Sequence, residues 1–245
     1  MSVNSNISPP MWTYYSGGPF ETKHFRISTD IELAEGHSGV VFTNKFDPSK
    51  LIKKSGSDDL IDEYAIGRKI DHPNFMKVYR LFKKVYVNES GNKVDWKYKL
   101  EIERIFGEAL GNTLARQKVD QIFYLKLTEA MCNGLVYLDH QKIAWADVSL
   151  DNIMIREDGA IKFIDFGLYS EEADDAKRIK RILKNYHNLV WDIMKNHRMS
   201  EDAEEINKHI ENLLINKRKE LKDGASPEQT LSSFLDSIKL YIHKL

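Results

Sequence analysis

Ile143-Ala-Trp-Ala-Asp147-Val-Ser-Leu-Asp-Asn152-Ile-Met-Ile-Arg156-Glu-Asp-Gly159-Ala-Ile161-Lys-Phe-Ile-Asp165-Phe-Gly-Leu168 is the stretch around which the chain is organised. Residues 153–156 and 161–164 are short apolar runs rich in β-branched side chains, separated by Glu157-Asp158-Gly159. An Asp-Gly between two such runs predicts a hairpin, because glycine takes the positive φ that a tight turn needs. Antiparallel pairing sets Asn152, just before the first run, opposite Asp165, just after the second. Two oxygen-bearing side chains then converge at the open end, as a hard cation carrying phosphates requires. Asp147, five residues before Asn152, can arch over the same end as the acceptor for a hydroxyl proton. The bland alternative is a surface hairpin whose ends happen to be acidic.

Asp-x4-Asn, a hairpin and then Asp-Phe-Gly resembles the catalytic and magnesium-binding segment of the protein-kinase superfamily. The resemblance implies an α+β, two-lobed protein-kinase-like fold that uses ATP and Mg²⁺. By the same resemblance Asp147 is the catalytic aspartate, Asn152 the second metal ligand and Asp165 the metal-binding aspartate. It divides the chain into a disordered tail at residues 1–24, a β-rich N-lobe at 25–105 and a reduced helical C-lobe at 106–245.

Composition agrees with a soluble globular chain. Its 245 residues, 42% hydrophobic and 30% charged, suffice for one large domain or two lobes. A net charge of −1 without a basic block leaves no nucleic-acid footprint. The single cysteine, Cys132, excludes an internal disulfide and a multi-cysteine zinc site, and its apolar helical run marks a buried, inert thiol. No run approaches the roughly 20 apolar residues of a membrane span, and no apolar core of a secretory signal follows the start.

From residue 25 the pattern turns to strands, with 31–34 and 40–46 flanking Glu35-Gly36-His37-Ser38-Gly39. A glycine turn lets backbone N–H groups approach phosphates, although such a hairpin is more often only a hairpin. It resembles the kinase phosphate loop, with Ala34 in place of the first glycine and Gly36, Gly39 and Val41 in register. Losing that glycine stiffens the loop. In the strand after it, the resemblance implies Lys53 as the phosphate-pairing lysine, with Lys54 its rival, and Leu51 on the same face as Lys53 over the adenine. Residues 59–70 read as a helix with Leu60, Tyr64, Ile66 and Gly67 on one side, and Glu63 stands nine residues before His72-Pro73-Asn74. That spacing resembles the helix glutamate of kinases and implies a Lys53–Glu63 ion pair, against the alternative of an ordinary surface glutamate. Residues 75–87 and 94–105 form a hairpin about Asn88-Glu89-Ser90-Gly91-Asn92, and its second strand runs into a segment resembling the inter-lobe hinge. Ile102 is then the gatekeeper, with backbone groups from Glu103 to Ile105 facing the adenine.

Residues 119–138 carry an apolar helical stripe at 119, 122, 123, 127, 130, 131, 135 and 138, which reads as core. Beyond Gly167 no proline occurs until Pro227, so the Ala-Pro-Glu closing motif is missing, and Glu171 onward reads as an immediate long helix. Helices follow at 203–221 and from Ser226-Pro227-Glu228-Gln229, where Ser226 caps and Gln229 closes a capping box. The run Lys217-Arg218-Lys219-Glu220 reads as a solvated helix end.

Trp145-Ala146 stands where the family usually has His-Arg, and Ser149 where most serine/threonine kinases carry lysine. Without that arginine and without a long activation segment, the expectation is activity independent of loop phosphorylation. Ala-Asp-Val-Ser is similar to RIO kinases, and the trimmed C-lobe with a Ser/Asn-rich start resembles small bacterial type III effector kinases of the OspG and NleH type. The resemblance implies a Ser/Thr protein kinase with a protein substrate, secreted into host cytoplasm by a bacterial secretion system. It also implies a host activating partner such as a ubiquitin-linked protein. A pseudokinase binding module and a small-molecule kinase remain as alternatives.

Overall fold

The computed structural model describes residues 11–15, 21–22, 31–36, 39–55, 57–87, 93–167 and 169–244. The chain divides into two compact units, one of Met1–Arg68 with Lys77–Arg104, the other of Lys69–Met76 with Ile105–Leu245. The fold is of the α+β class, β-rich in the first unit and mainly helical in the second.

In the first unit one antiparallel sheet takes strands β1 (Met11–Tyr15), β2 (Glu21–Thr22), β3 (Glu32–Gly36), β4 (Gly39–Thr43), β5 (Lys50–Ser55), β6 (Val78–Val87) and β7 (Lys93–Glu103). Their order is β2-β1-β6-β7-β5-β4-β3. Residues 11–15 and 21–22, read from sequence as part of a tail, are therefore strands, β1 lying between β2 and β6; its run Met-Trp-Thr-Tyr-Tyr is of the aromatic and β-branched kind that strands favour. Strand β4 stops three residues before the expected Phe46. Asn44 Oδ1 accepts from the backbone N–H groups of Phe46 and Asp47, an Asx turn that competes with further pairing. The β6–β7 turn at 88–92, and His37 and Ser38 of the glycine turn, lie outside the described residues.

Helix α1 (Asp59–Gly67) ends three residues short of the expected Ile70. Its buried side is Leu60, Glu63, Ile66 and Gly67; Tyr64, placed there from sequence, is half-exposed. Strand β6 starts at Val78 rather than Phe75, because Phe75 and Met76 belong to the second unit. There Phe75 bridges Phe163 in parallel and Met76 N–H donates to the Phe163 carbonyl.

The second unit opens with β8 (Gly107–Ala109), α2 (Leu110–Arg116) and α3 (Gln121–His140), followed by β9 (Ile143–Trp145), β10 (Ile153–Arg156), β11 (Ile161–Phe163) and β12 (Tyr169–Glu171). Helices α4 (Asp175–Asn196), α5 (Glu201–Lys222) and α6 (Pro227–Ile242) complete it. An aromatic group of Phe75, Trp145, Phe163, Phe166 and Tyr169 fills its centre. Gly134 of α3 lies flat on that group: a Cβ there would meet Phe163 Cε2 at 2.9 Å. Asp120 caps α3 by accepting from Phe123 N–H, so the helix starts after Val119, and Ile122 in its first turn is 66% exposed rather than core. Tyr124 and Thr128 take the buried places instead. Cys132 is buried, and burial pushes its thiol up to about 12.

Strand β12 occupies Glu171, so α4 begins only at Asp175, where Asp174 accepts from Lys177 N–H. The expected face of α4, Ile179, Ile182, Leu183, Tyr186, Leu189, Val190 and Ile193, is buried. Buried with it is Arg178, which grips Asp139, Asp175 and the Glu172 carbonyl at 2.8, 2.5 and 2.8 Å. Ser226 precedes α6 but makes no side-chain cap, and no capping box closes on Gln229; the Ser226 carbonyl accepts from Thr230 N–H and Oγ1 instead. Lys217 and Arg218 are half-buried rather than solvated, since Lys217 bonds Glu220 and Arg218 meets His187 Nδ1 at 3.3 Å. Among the described residues no helix is long and apolar enough to cross a membrane.

Candidate active site

Strands β10 and β11 pair Ile153 with Phe163, Met154 with Lys162 and Ile155 with Ile161. The loop between them is four residues long. Arg156 N–H bonds the Ala160 carbonyl, Gly159 N–H bonds the Arg156 carbonyl, and Asp158 Oδ1 accepts from Ala160 N–H. Gly159 has φ +79°, the left-handed conformation expected of it.

This register sets Asn152 opposite Ile164, not Asp165: Ile164 N–H donates to the Asn152 carbonyl at 2.9 Å. The expectation is off by one residue because the pairing ends at Ile164 and Asp165 turns away with φ +61°. A left-handed aspartate is uncommon and costs energy, and such outliers gather at functional sites. Its Oδ1 accepts from Gly167 N–H at 3.0 Å, which holds the turn. Asp147 and Asn152 do meet: Asn152 Nδ2 donates to Asp147 Oδ2 at 2.7 Å, closing the short 3-10 turn Leu150–Asn152 over the loop. With its amide N–H on Asp147, Asn152 has its Oδ1 as the atom that could ligate a cation.

The Asp147 backbone is fixed as well, since Trp145 Nε1 donates to its carbonyl at 3.0 Å. From α4, Asn185 Nδ2 donates to the Trp145 carbonyl at 2.7 Å and to that of Ala146 at 3.1 Å. Asn185 tethers the loop that carries Asp147, and sequence reasoning missed it; a polar residue beside the apolar stripe of α4 was its only signal.

Among the described residues no group of three His, Cys, Asp or Glu side chains could hold a metal. That does not count against magnesium, which is bound through one or two protein groups and completed by waters and phosphates. One carboxylate and one amide oxygen, Asp165 and Asn152, fit that pattern.

The other expected residues lie in the first unit. Val41 pairs with Lys53 and Val40 with Lys54 across β4–β5; Leu51 pairs with Ile102 across β5–β7. Lys53 Nζ sits 2.7 Å from Glu63 Oε2, with Lys53 5% and Glu63 1% exposed. Lys54 Nζ instead lies over the Phe42 ring, 3.7 Å from its centre. Lys53 is the lysine that pairs with Glu63, and the surface-glutamate alternative does not hold. Ala34 pairs with Val41 and Gly36 with Gly39, which closes the glycine turn. At Gly39, φ is +135° and a Cβ would stand 2.3 Å from the Lys54 carbonyl oxygen, so only glycine fits. Ile102 is buried, and Glu103 is locked to Lys77 by its own N–H and by its Oε2. Ile105, named with them from sequence, begins the long part of the second unit and is half-exposed.

The protein kinase domain family matches residues 31–188. Calcium-dependent protein kinase 4 of Plasmodium falciparum (isolate 3D7) is 24% identical over 206 residues, covering 78% of this chain and 37% of that protein. Serine/threonine-protein kinase PAK mbt of Drosophila melanogaster is 25% identical over 133 residues, covering 54% and 19%. Tyrosine-protein kinase Btk of Drosophila melanogaster is 27% identical over 158 residues, covering 59% and 18%. The match thus spans little more than a third of the Plasmodium kinase and less of the other two.

Proposed function

The chain belongs to the protein kinase domain family, and from that premise we propose that it transfers the γ-phosphoryl group of Mg-ATP to a Ser or Thr hydroxyl of a protein substrate. The observation that carries this reading is the 2.7 Å bond from Asn152 Nδ2 to Asp147 Oδ2 at the mouth of the β10–β11 hairpin. It holds one carboxylate oxygen and leaves Oδ1 to accept the proton of the attacking hydroxyl. Trp145 and Asn185 fix the backbone of the same loop, so the carboxylate meets its substrate already oriented. Lys53, held by Glu63, carries the positive charge for the α/β-phosphates. Gly36, Gly39 and Val41 supply the phosphate turn despite Ala34, and Leu51, Ile102, Glu103 and Ile105 line the adenine. Asn152 and Asp165 would hold Mg²⁺, which when bound neutralises phosphate charge during transfer.

Two features bear on regulation. Only seven residues separate Gly167 from the Asp175 start of α4, and three of the seven pair with β9. A segment so short and so anchored supports activity independent of loop phosphorylation. The same trimming supports the likeness to secreted bacterial effector kinases and an activating host partner such as a ubiquitin-linked protein.

The test is radiolabelled γ-phosphate transfer by wild type and Asp147→Asn, alone and with eukaryotic lysate. General-base catalysis contributes roughly 10²–10⁴-fold, so Asp147→Asn should lose at least 100-fold with its melting temperature unchanged. A folded Asp147→Asn protein at the wild-type rate refutes the assignment. No transfer by wild type, with ATP still protecting the fold, indicates a pseudokinase; turnover of a metabolite without protein acceptor indicates a small-molecule kinase.

A further inference from the structure

Helix α4 carries five exposed cations, Lys177, Lys180, Arg181, Lys184 and Lys195. At 3.6 residues per turn they fall in one stripe, roughly 100° wide and about 27 Å long. A solvated helix face normally mixes signs, with carboxylates three or four residues from the cations. Helix α5 is such a face, with Lys208 3.7 Å from Glu204 and Lys217 2.9 Å from Glu220. On α4 the carboxylates are taken elsewhere, Asp175 by Lys142 and Arg178, and Asp192 by Asn196. Lys177 has only a 3.6 Å contact with Asp174, and Lys180 and Lys184 pair with no carboxylate among the described residues. So much charge of one sign on a chain of net charge −1 calls for a ligand of the other sign.

The stripe flanks the loop that carries Asp147. Arg181 donates to Ser170 Oγ of β12 at 3.1 Å, and β12 pairs with β9, which leads into that loop. One turn further along α4, Asn185 holds the Trp145 and Ala146 carbonyls. Beyond it, Asn188 and Asp192 line a cleft of about 370 Å³ with Val148, Ser149 and Asp151, immediately after Asp147. We propose that Lys177, Lys180, Arg181 and Lys184 form a specificity site, which binds acidic residues flanking the accepting hydroxyl of the protein substrate. A peptide with its hydroxyl at Asp147 has α4 alongside. Its carboxylates gain ion pairs toward Arg181 and meet repulsion toward Asp151 and Asp192, so the acidic preference is confined to one flank. Anionic lipid headgroups suit the same cations. However, the Trp191 ring is capped by the Lys195 ammonium, 4.4 Å from its centre, instead of being offered to a bilayer, and the cations stand beside the transfer loop.

This inference rests on the kinase reading. Its test is transfer from Mg-ATP to three serine peptides, one neutral, one with glutamates before the serine and one with glutamates after it. Wild type is compared with Lys180→Gln/Lys184→Gln, Lys180→Arg/Lys184→Arg and Asp147→Asn. Two exposed ion pairs predict a peptide KM about tenfold lower for one acidic peptide than for the neutral one, with kcat little changed. The glutamine variant should lose that advantage and the arginine variant keep it, both at the wild-type KM for ATP. Raising salt to about 0.5 M should remove it in wild type, because screening then acts within a few ångströms. No preference for either acidic peptide, or one that survives Lys180→Gln/Lys184→Gln, overturns the inference and leaves the kinase reading standing. Binding to phosphatidylserine vesicles that the glutamine variant loses, without a peptide preference, assigns the stripe to a membrane and also overturns it. Wild type that matches Asp147→Asn in showing no transfer to any peptide or protein overturns the kinase reading, and this inference with it.

Discussion

Changing Glu63 to Leu leaves the Lys53 ammonium in a nearly solvent-free place without its 2.7 Å carboxylate. Removing one member of a buried ion pair costs about 3–5 kcal/mol, because the remaining desolvated charge loses the carboxylate that compensated it. For a chain of this size that corresponds to a fall in melting temperature of roughly 6–20 °C. Adding Lys53→Met to Glu63→Leu removes both charges and restores apolar packing, an exchange that is often neutral or stabilising. The double variant should therefore recover most of the lost stability while phosphate transfer stays abolished. Urea unfolding followed by tryptophan fluorescence, with radiolabelled transfer on the same preparations, measures both. A single variant that loses less than about 1 kcal/mol would put the pair in the range of exposed surface pairs and contradict the cost assigned to its burial. A double variant no more stable than the single one refutes the reasoning outright.

Two further outcomes follow from close packing and from titration. A Cβ on Gly107 would stand 2.0 Å from the Ile155 carbonyl oxygen, where β8 crosses β10, so Gly107→Ala should cost at least the 1–3 kcal/mol typical of overpacking, read as a shifted urea midpoint. An unchanged midpoint would show that β8 can move aside. His187 is shifted down by burial and then by Arg218, against Glu211, and His72 by burial and then by Lys162. Both are held neutral in the folded chain, so the unfolded chain binds more protons below its ordinary pKa of 6.5. Stability from these two groups is complete above that value and declines as pH falls below it, until the lowered folded pKa values are passed. Urea midpoints that rise from pH 7 to pH 5, or a slope unaltered in a His72→Gln/His187→Gln protein, would contradict this.

The hairpin of β10 and β11 was legible because its signal is local: β-branched runs, Asp-Gly between them and two polar residues at the ends. The same locality explains the one-residue error at Asp165, since where pairing stops depends on the turn that Gly167 makes possible. The burial of α4 was legible from periodicity, whereas Arg178 was not. A charged residue in an apolar stripe reads as surface until its partners Asp139 and Asp175 are seen, one of them 39 residues away. The Glu63 pairing could be named only through family resemblance, because periodicity alone cannot tell a buried helix glutamate from an exposed one. Tyr64, placed on one side of the helix with Leu60, Ile66 and Gly67, is only half-buried. Strands β1 and β2 were hidden by the Ser, Asn, Pro and Gly around them, and β6, the second partner of β1, lies more than 60 residues further on. Ser226 misled because a good capping residue was read as a side-chain cap, whereas it takes part through its carbonyl, which accepts from Thr230 N–H and Oγ1.

Cys132 is the only thiol in the chain, buried in α3 and, with a pKa near 12, almost wholly in its unreactive protonated form. Alkylating reagents can reach it only when the helices around it part. Its labelling rate is therefore a clock for local opening of the second unit, installed by the natural sequence and silent about the first. Pulse labelling read by mass would report that opening free energy at one address, without a probe being engineered into the protein.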